Sequence, residues 1–170
     1  MKNENEFFMT VANMAKMQST CASVHVGAVI TKDNRIISFG YNGVPQHNTH
    51  CNEIFDSTQM SNPQYRAKHH DFSELNEVHA EINAIVFAWK NESNLDSSTM
   101  YVTTFPCHNC AKVIAISGIK RVVYQDAYDL EDPKPIIDFL SKNGVEVEQY
   151  KPNFSIVKEL ISEGKEIKFI

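Results

Sequence analysis

The sequence predicts an α/β fold in which helices cover both faces of a mixed β-sheet of about five strands. A first amphipathic segment precedes two short apolar runs that a turn separates, which predicts a helix followed by a β-hairpin. After the hairpin, segments with helical and strand periodicity alternate. This order favours a three-layer α/β/α arrangement.

The bulk composition fits one soluble domain, predicted to span residues 1–170. The chain has 170 residues, 42% of them hydrophobic, and a net charge of −5. The acidic balance and the lack of a Lys or Arg run argue against a nucleic-acid partner, although a small phosphorylated ligand needs only a few local donors. The polar residues 1–6 and the absence of a long apolar run predict a cytoplasmic protein without a membrane partner. Thiols stay reduced there, which favours metal binding by the four cysteines.

The first helix is predicted to run for about four turns and to end near Ser19. Residues 24–30 and 36–40 are predicted to form the hairpin, with turn chemistry at residues 32–35. Gly27 lies inside the first strand, which indicates either close approach of another group, such as a ligand, or a β-bulge.

A polar, aperiodic stretch follows, from Gly40 to about His70, and is predicted to be a long loop. It contains one cysteine and several histidines, namely Cys51, His47, His50, His69 and His70. A structureless loop of this length is unusual in a compact domain, and a bound metal would explain how it is held.

The next predicted helix has an apolar stripe made of Val78, Ile82, Ile85, Val86 and Trp89. A buried strand at 100–105 and a helix from Pro106 to Gly118 come next, and the helix is expected to bury Val113, Ile114 and Ile116. Further elements are predicted at residues 121–124 (strand), 136–140 (helix), 145–147 (strand) and 156–161 (helix).

Two short motifs carry the predicted chemistry. His79 with Cys107 and Cys110 provides one imidazole and two thiolates, the ligand types of zinc, and catalytic zinc sites leave their fourth position to water. The two cysteines lie three apart at a predicted helix N-terminus, where the dipole favours thiolates. Taken alone, Cys-x-x-Cys would fit a structural zinc knuckle or a redox pair equally well.

Glu81 is predicted to carry protons rather than to bind the metal, because residues two apart on a helix do not share a face. It would take a proton from water, deliver it to ring N3 of a cytosine and later protonate the leaving ammonia. The structural alternative is a first-turn charge that stabilises the helix dipole.

His-x-Glu followed by Pro-Cys-x-x-Cys is the signature of zinc nucleobase deaminases. With the hairpin segments 26–30 and 40–43, these motifs make residues 5–130 resemble the cytidine deaminase superfamily, and within it the phage-type deoxycytidylate (dCMP) deaminases. The resemblance implies hydrolysis of dCMP to dUMP and ammonia, which supplies dUMP for dTMP synthesis. It also implies a second, structural zinc held by Cys21, Cys51, His69 and Glu77. By spacing alone, these cysteines could equally be buried and without a metal.

The resemblance implies that Asn42 binds the sugar hydroxyl and that Tyr128 lies near the substrate. Alternatively, Asn42 bonds its own backbone at a turn, and Tyr128 is an ordinary amphipathic side chain at the end of an element. Many relatives carry basic residues after the position of Cys21, where this chain has Ala-Ser-Val-His. Ser23 and His25, or Lys16, are therefore the candidates for phosphate binding, and deamination of dCTP stays open.

The family is typically activated by dCTP and inhibited by dTTP between the subunits of a homo-oligomer, usually a hexamer. The implied effector loop contains Asn42 and Gly43, where glycine would let phosphates approach the backbone or would simply make the turn. A triphosphate effector would bring Mg²⁺ with it.

Other classes share part of the pattern. A free cytidine or deoxycytidine deaminase, a guanine or pterin-type deaminase and a tRNA adenosine deaminase have the same motif, although the last should be basic. Outside the enzymes, a zinc-stabilised binding module would need neither Glu81 nor an open coordination position.

Overall fold

The computed structural model describes residues 3–127 and 132–163. Its strands are β1 (Gly27–Lys32), β2 (Arg35–Tyr41), β3 (Thr99–Thr104), β4 (Arg121–Asp126) and β5 (Glu146–Gln149). They form one mixed sheet in the order β2-β1-β3-β4-β5. Strand β1 pairs antiparallel with β2 and β3, whereas β3, β4 and β5 run parallel. This arrangement matches the predicted fold class and strand number.

The helices are α1 (Glu4–Lys16), α2 (Cys51–Ile54), α3 (Pro63–Asn76), α4 (Ala80–Lys90), α5 (His108–Ser117), α6 (Pro133–Lys142) and α7 (Ser155–Glu163), with a 3₁₀ turn at Ser57–Gln59. None of the helices among the described residues is long and apolar enough to cross a membrane.

Two apolar layers hold the sheet between helices. On one face, Phe8, Met9 and Ala12 of α1 pack against Val29, Tyr101 and Val123 of the strands. On the other face, α4, α5 and α6 bury a larger cluster against the alternate strand residues, including Ala28, Ile30, Met100, Val102 and Val122. Side chains of successive strand residues point to opposite faces, which explains why nearly every residue of β1 and β3 is buried.

Gly27 is explained by helix α1. A Cβ atom there would collide with the carbonyl oxygen of Ala12 and would lie 2.6 Å from the backbone nitrogen of Lys16. The expected close approach is therefore made by helix backbone rather than by a ligand, and the register shift of the β1–β2 ladder lies further along, between Ile30 and Thr31.

The prediction of a long loop from Gly40 to His70 is wrong, because residues 63–70 belong to α3, and α2 and the 3₁₀ turn lie within the same stretch. The Asn62 side chain caps the helix by accepting hydrogen bonds from the backbone of Gln64 and Tyr65, and Pro63 occupies the first turn. His69 is the one fully buried residue of α3, so no apolar stripe indicates the helix in the sequence.

The buried faces of α4 and α5 also differ from the prediction. Helix α4 buries Ala80, Glu81, Ala84, Ile85 and Ala88. Of the predicted stripe, Val86 and Trp89 are exposed, and Val78 precedes the helix. In α5, Ile116 was predicted to be buried and is exposed. The small alanines let α4 approach the sheet closely, while Val86, Phe87 and Trp89 lie on its exposed side.

The C-terminal segment is attached to α1 through Glu6, a carboxylate that is 1% exposed. Glu6 accepts hydrogen bonds from the Tyr150 hydroxyl at 2.9 Å, the Asn153 amide at 3.1 Å and the Ser155 amide at 3.0 Å. The Ser155 amide belongs to the first turn of α7, so Glu6 joins the two ends of the described chain.

Candidate active site and metal centres

Three predicted zinc ligands meet where the N-termini of α4 and α5 face each other. His79 is the N-cap residue of α4, Cys107 is the N-cap residue of α5, and Cys110 lies in the first turn of α5. His79 Nδ1 lies 3.5 Å from Cys107 Sγ and 3.3 Å from Cys110 Sγ. Both cysteines are free thiols. Donors at these separations can share one tetrahedral zinc ion, and we call this set the three-donor cluster.

The three-donor cluster already favours a thiolate. Hydrogen bonding from Cys110 lowers the pKa of Cys107 to about 3. The contact with Cys107 raises the pKa of His79 to about 9 and also raises the pKa of Cys110. Since thiolate is the form of cysteine that binds metals, the donor chemistry fits zinc.

Glu81 lies in the first turn of α4 and is 4% exposed. It lines the same cavity as His79 and Cys107 but is not one of the clustered donors. Burial raises the pKa of its carboxyl group. A carboxyl group whose pKa is shifted toward neutrality can accept a proton and return it in one reaction cycle, as a general acid–base requires.

The cavity that these residues line has a volume of about 360 Å³, within the range of small-molecule sites. Its walls combine apolar side chains such as Phe105 with polar groups from α3 and from the segment before β1. A wider cleft of about 800 Å³ beside it contains His25 but neither Glu81 nor any member of the three-donor cluster. The smaller cavity is therefore the candidate active site.

A second set of donors lies next to this cavity. Cys21, Cys51, His69 and Glu77 each place one donor atom within 4.8 Å of the others; we call them the four-donor cluster. Cys21 Sγ lies 3.5 Å from His69 Nε2. Cys51 Sγ accepts a hydrogen bond from the backbone amide of Ala22, and Cys21 Sγ accepts one from the backbone amide of Ser23.

Glu77 provides the clearest sign that this cluster suits a cation. Its Oε2 accepts a hydrogen bond from Ser73 Oγ at 2.7 Å. Its Oε1 is buried and has no hydrogen-bond partner within the described residues. Leaving a buried carboxylate oxygen unpaired is costly, and a divalent ion among the four donors would satisfy it.

The pKa values of this cluster are consistent with metal ligands. Burial lowers the pKa of His69, which favours the neutral imidazole that binds metals. Burial raises the pKa of Cys21 and raises that of Cys51 to about 12. Such thiols are inert alone, but a bound cation deprotonates a coordinating thiol outright. The four residues therefore fit zinc as a closed site.

Of the predicted substrate-binding residues, Asn42 and Ser23 line the candidate active-site cavity, whereas His25 does not. Asn42 lines the cavity, and its Oδ1 accepts from the Val26 amide at 2.8 Å while its Nδ2 donates to the Val24 carbonyl at 2.9 Å. Ser23 lines the cavity as well. His25 lines the neighbouring cleft, where its Nε2 donates to the Cys21 carbonyl.

Two further predictions concern a tyrosine near the substrate and the effector loop. Tyr128 lies outside the described residues. Gly43 pairs with Val78 through two backbone hydrogen bonds, so its own N–H is already donated. The Gly43 carbonyl accepts the second of these bonds, so the predicted effector role of Gly43 would depend on its lack of a side chain.

Sequence reasoning missed Arg66 and Ser73, both on α3. Arg66 lines the active-site cavity, and Ser73 holds Glu77. Their spacing from His69 on a helix would have placed both near the clusters, but it carried no signal while this stretch was read as a loop.

Comparison with known proteins agrees with this geometry. Residues 1–126 match the family described as the cytidine and deoxycytidylate deaminase zinc-binding region. The chain is 39% identical to the deoxycytidylate deaminase of Enterobacteria phage T4, an alignment that covers 82% of this chain and 86% of that protein. The corresponding protein of Enterobacteria phage T2 is 37% identical, over 82% of this chain and 88% of that protein.

A solved structure extends the match to the fold. The dCMP deaminase of the cyanophage S-TIM5, crystallised in complex with dCMP and dUMP, superposes with a TM-score of 0.69 and 33% identity, covering 88% of this chain and 99% of that one. The chain therefore belongs to the cytidine and deoxycytidylate deaminase family. The predicted family, enzyme class and fold are confirmed.

Proposed function

We propose that this protein hydrolyses dCMP to dUMP and ammonia. The observation that carries the proposal is the single cavity shared by a buried carboxyl group, Glu81, and the three-donor cluster. The relatives named above add the substrate, because they are deoxycytidylate deaminases, one of them crystallised with dCMP and dUMP.

His79, Cys107 and Cys110 would hold the catalytic zinc. When bound, zinc supplies the Lewis acidity that makes water a nucleophile at neutral pH. Glu81 accepts a proton as water adds to C4 of the cytosine ring, and gives that proton to N3. It then transfers the second proton of the water to the departing amine, so that water and dCMP become dUMP and ammonia.

Asn42 would contact the sugar. One of its amide hydrogens and one lone pair of Oδ1 are used in the bonds to Val24 and Val26, which leaves a second hydrogen and lone pair for a hydroxyl group. These two bonds also fix the orientation of the amide, so a ligand would meet a group that is already positioned.

Cys21, Cys51, His69 and Glu77 would hold a structural zinc. This site would join the segment after α1, the start of α2 and the C-terminal half of α3. One of its ligands, Glu77, lies two residues before His79 along the chain. A metal bound there would therefore help to fix the position of His79.

Regulation by dCTP and dTTP, Mg²⁺ bound with such an effector, a homo-oligomer of hexamer type and a cytoplasmic location belong to the same proposal. They rest on family likeness. Gel filtration with and without dCTP tests the oligomer, and initial rates with each nucleotide test the regulation.

The direct test mixes the zinc-loaded protein with dCMP, dCTP, deoxycytidine and cytidine in parallel, and follows the loss of absorbance of the cytosine ring. We expect dCMP to be the preferred substrate. A matched Glu81→Gln protein should retain its zinc and show no turnover. If the wild-type protein deaminates none of the four compounds, or if Glu81→Gln keeps full activity per bound zinc, the proposal is wrong.

A further inference from the structure

The segment after Cys21 offers no Lys or Arg side chain for a phosphate group, since residues 22–25 are Ala-Ser-Val-His. His25 lies in the neighbouring cleft with Nε2 bonded to the Cys21 carbonyl. We propose that Arg66 of α3 binds the 5′-phosphate instead and so makes the site select nucleotides over nucleosides, an inference that rests on the proposed function.

Helix α3 places Arg66 on the wall of the active-site cavity. Arg66, His70 and Ser73 follow each other at i, i+4 and i+7, which puts them on one helix face, and all three line the cavity that contains Glu81 and His79. Ser23 lines the same cavity from the segment before β1. A nucleotide whose base reaches Glu81 therefore has Arg66 and Ser23 available for its outer part.

The charges around the cavity single out Arg66. It is the one Lys or Arg residue among the described residues that line the cavity, whereas Glu74, Glu77 and Glu81 also line it. A doubly charged phosphate would be repelled by these carboxylates. The guanidinium group of Arg66 is the positively charged group in the cavity wall that would attract the phosphate.

Arg66 is also available to a ligand. Its side chain is exposed and makes no hydrogen bond or ion pair with another described residue. Lys68, two positions along, lies outside the set of residues that line the cavity. An unpaired guanidinium presents its N–H donors as a fork that matches phosphate oxygens, which a lysine on another helix face cannot reproduce.

The helix that carries Arg66 is held in place one turn further along the chain. His69, three residues after Arg66, contacts Cys21 of the four-donor cluster. Its ring also packs edge-on against Phe55, with ring centroids 5.2 Å apart. The helix start is fixed by the Asn62 cap. Arg66 therefore projects from a positioned element, and ordering it on a ligand costs only the freedom of its own side chain.

The test uses the zinc-loaded full-length protein and three variants, Arg66→Gln, Arg66→Lys and Lys68→Gln. Lys68→Gln is the matched control, because it removes one positive charge from the same helix on a face away from the cavity. Calorimetry measures the affinity for the product dUMP and for deoxyuridine, and steady-state kinetics measure kcat/KM for dCMP and deoxycytidine.

We expect wild type to bind dUMP more tightly than deoxyuridine. Arg66→Gln should reduce the preference for dUMP by about 10- to 100-fold, the size of a lost charge-assisted contact, and should reduce the preference for dCMP over deoxycytidine similarly. Arg66→Lys should lose less, and Lys68→Gln should match wild type.

Equal losses in Arg66→Gln and Lys68→Gln, or an unchanged nucleotide preference in Arg66→Gln, would overturn the role of Arg66 and leave the deaminase proposal intact. Absence of turnover on every cytosine compound would instead overturn the proposed function, while the dUMP and deoxyuridine affinities would still decide the role of Arg66. A melting temperature for each variant excludes unfolding as the cause of a lost preference.

Discussion

The two donor clusters lie side by side and differ in what completes them. The three-donor cluster offers a histidine and two cysteines and lies at a cavity that a buried carboxyl group, Glu81, also lines. The four-donor cluster uses a fourth side chain, Glu77, whose free oxygen is buried. Three donors leave one position of a tetrahedral zinc ion open for chemistry, whereas four donors fill all of its positions. The two clusters thus differ by one additional carboxylate.

The largest expected effect comes from separating the metal from the proton carrier. Glu81→Gln should reduce kcat for dCMP by about 10²–10⁴-fold, because it removes the group that moves protons. Zinc content by mass spectrometry should stay at the wild-type value, since Glu81 lies outside both donor sets. Loss of zinc together with activity would place Glu81 among the ligands and remove the distinction between the clusters.

The next effect concerns the four-donor cluster alone. Cys51→Ser should remove one zinc per chain and destabilise the protein by at least about 3 kcal/mol, as expected when a structural metal is lost. Denaturant titration and metal analysis measure both quantities. Below the melting temperature, the folded fraction should retain the zinc of the three-donor cluster. Wild type that carries one zinc per chain would show that this cluster holds no metal.

Glu77 allows a test in which the sign of the effect depends on the metal. In chelated protein, Glu77→Gln should be as stable as wild type or more stable by about 1–3 kcal/mol, because it replaces a buried unpaired carboxylate oxygen. In zinc-loaded protein the same variant should be less stable than wild type. Melting curves with and without a chelator measure the stability difference between Glu77→Gln and wild type under each condition. A difference of the same sign under both conditions contradicts a metal at Glu77.

The smallest effect concerns the hydrogen bond behind Glu77. Ser73→Ala removes the hydroxyl group that holds Oε2 and should weaken zinc retention about tenfold, as partners of metal ligands do. Ser117→Ala is the control, since it loses a buried hydroxyl bond to the Ile114 carbonyl far from both clusters. Competition with a zinc-binding dye measures the affinity, and equal effects in the two variants would argue against a role for Ser73.

The sequence predicted the three-donor cluster because each of its two motifs is local. Cys107 and Cys110 lie three apart at the start of a helix, and His79 begins another, while the signature that joins the two motifs indicates the contact between them. The sheet followed for the same reason, since the hairpin around residues 33–34 has the turn chemistry that its left-handed backbone requires.

What the sequence did not show depends on contacts distant along the chain. Helix α3 is almost entirely polar because one side faces solvent and the other faces the donor clusters rather than an apolar core, so periodicity could not reveal it. Asn62 followed by Pro63 was the available signal. The role of Gly27 was hidden because the backbone that approaches it belongs to Ala12 and Lys16, more than ten residues earlier in the chain.

The buried carboxylate of Glu6 gives residues 150–155 a structural role that no sequence motif indicates. Three donors between Tyr150 and Ser155 satisfy it. Trimming the protein before Tyr150 would strand that charge in an apolar layer and loosen α1, whose backbone presses on Gly27. A shortened protein that keeps only the residues of the two donor clusters and Glu81 would therefore be less stable, although every residue of the proposed reaction would be present.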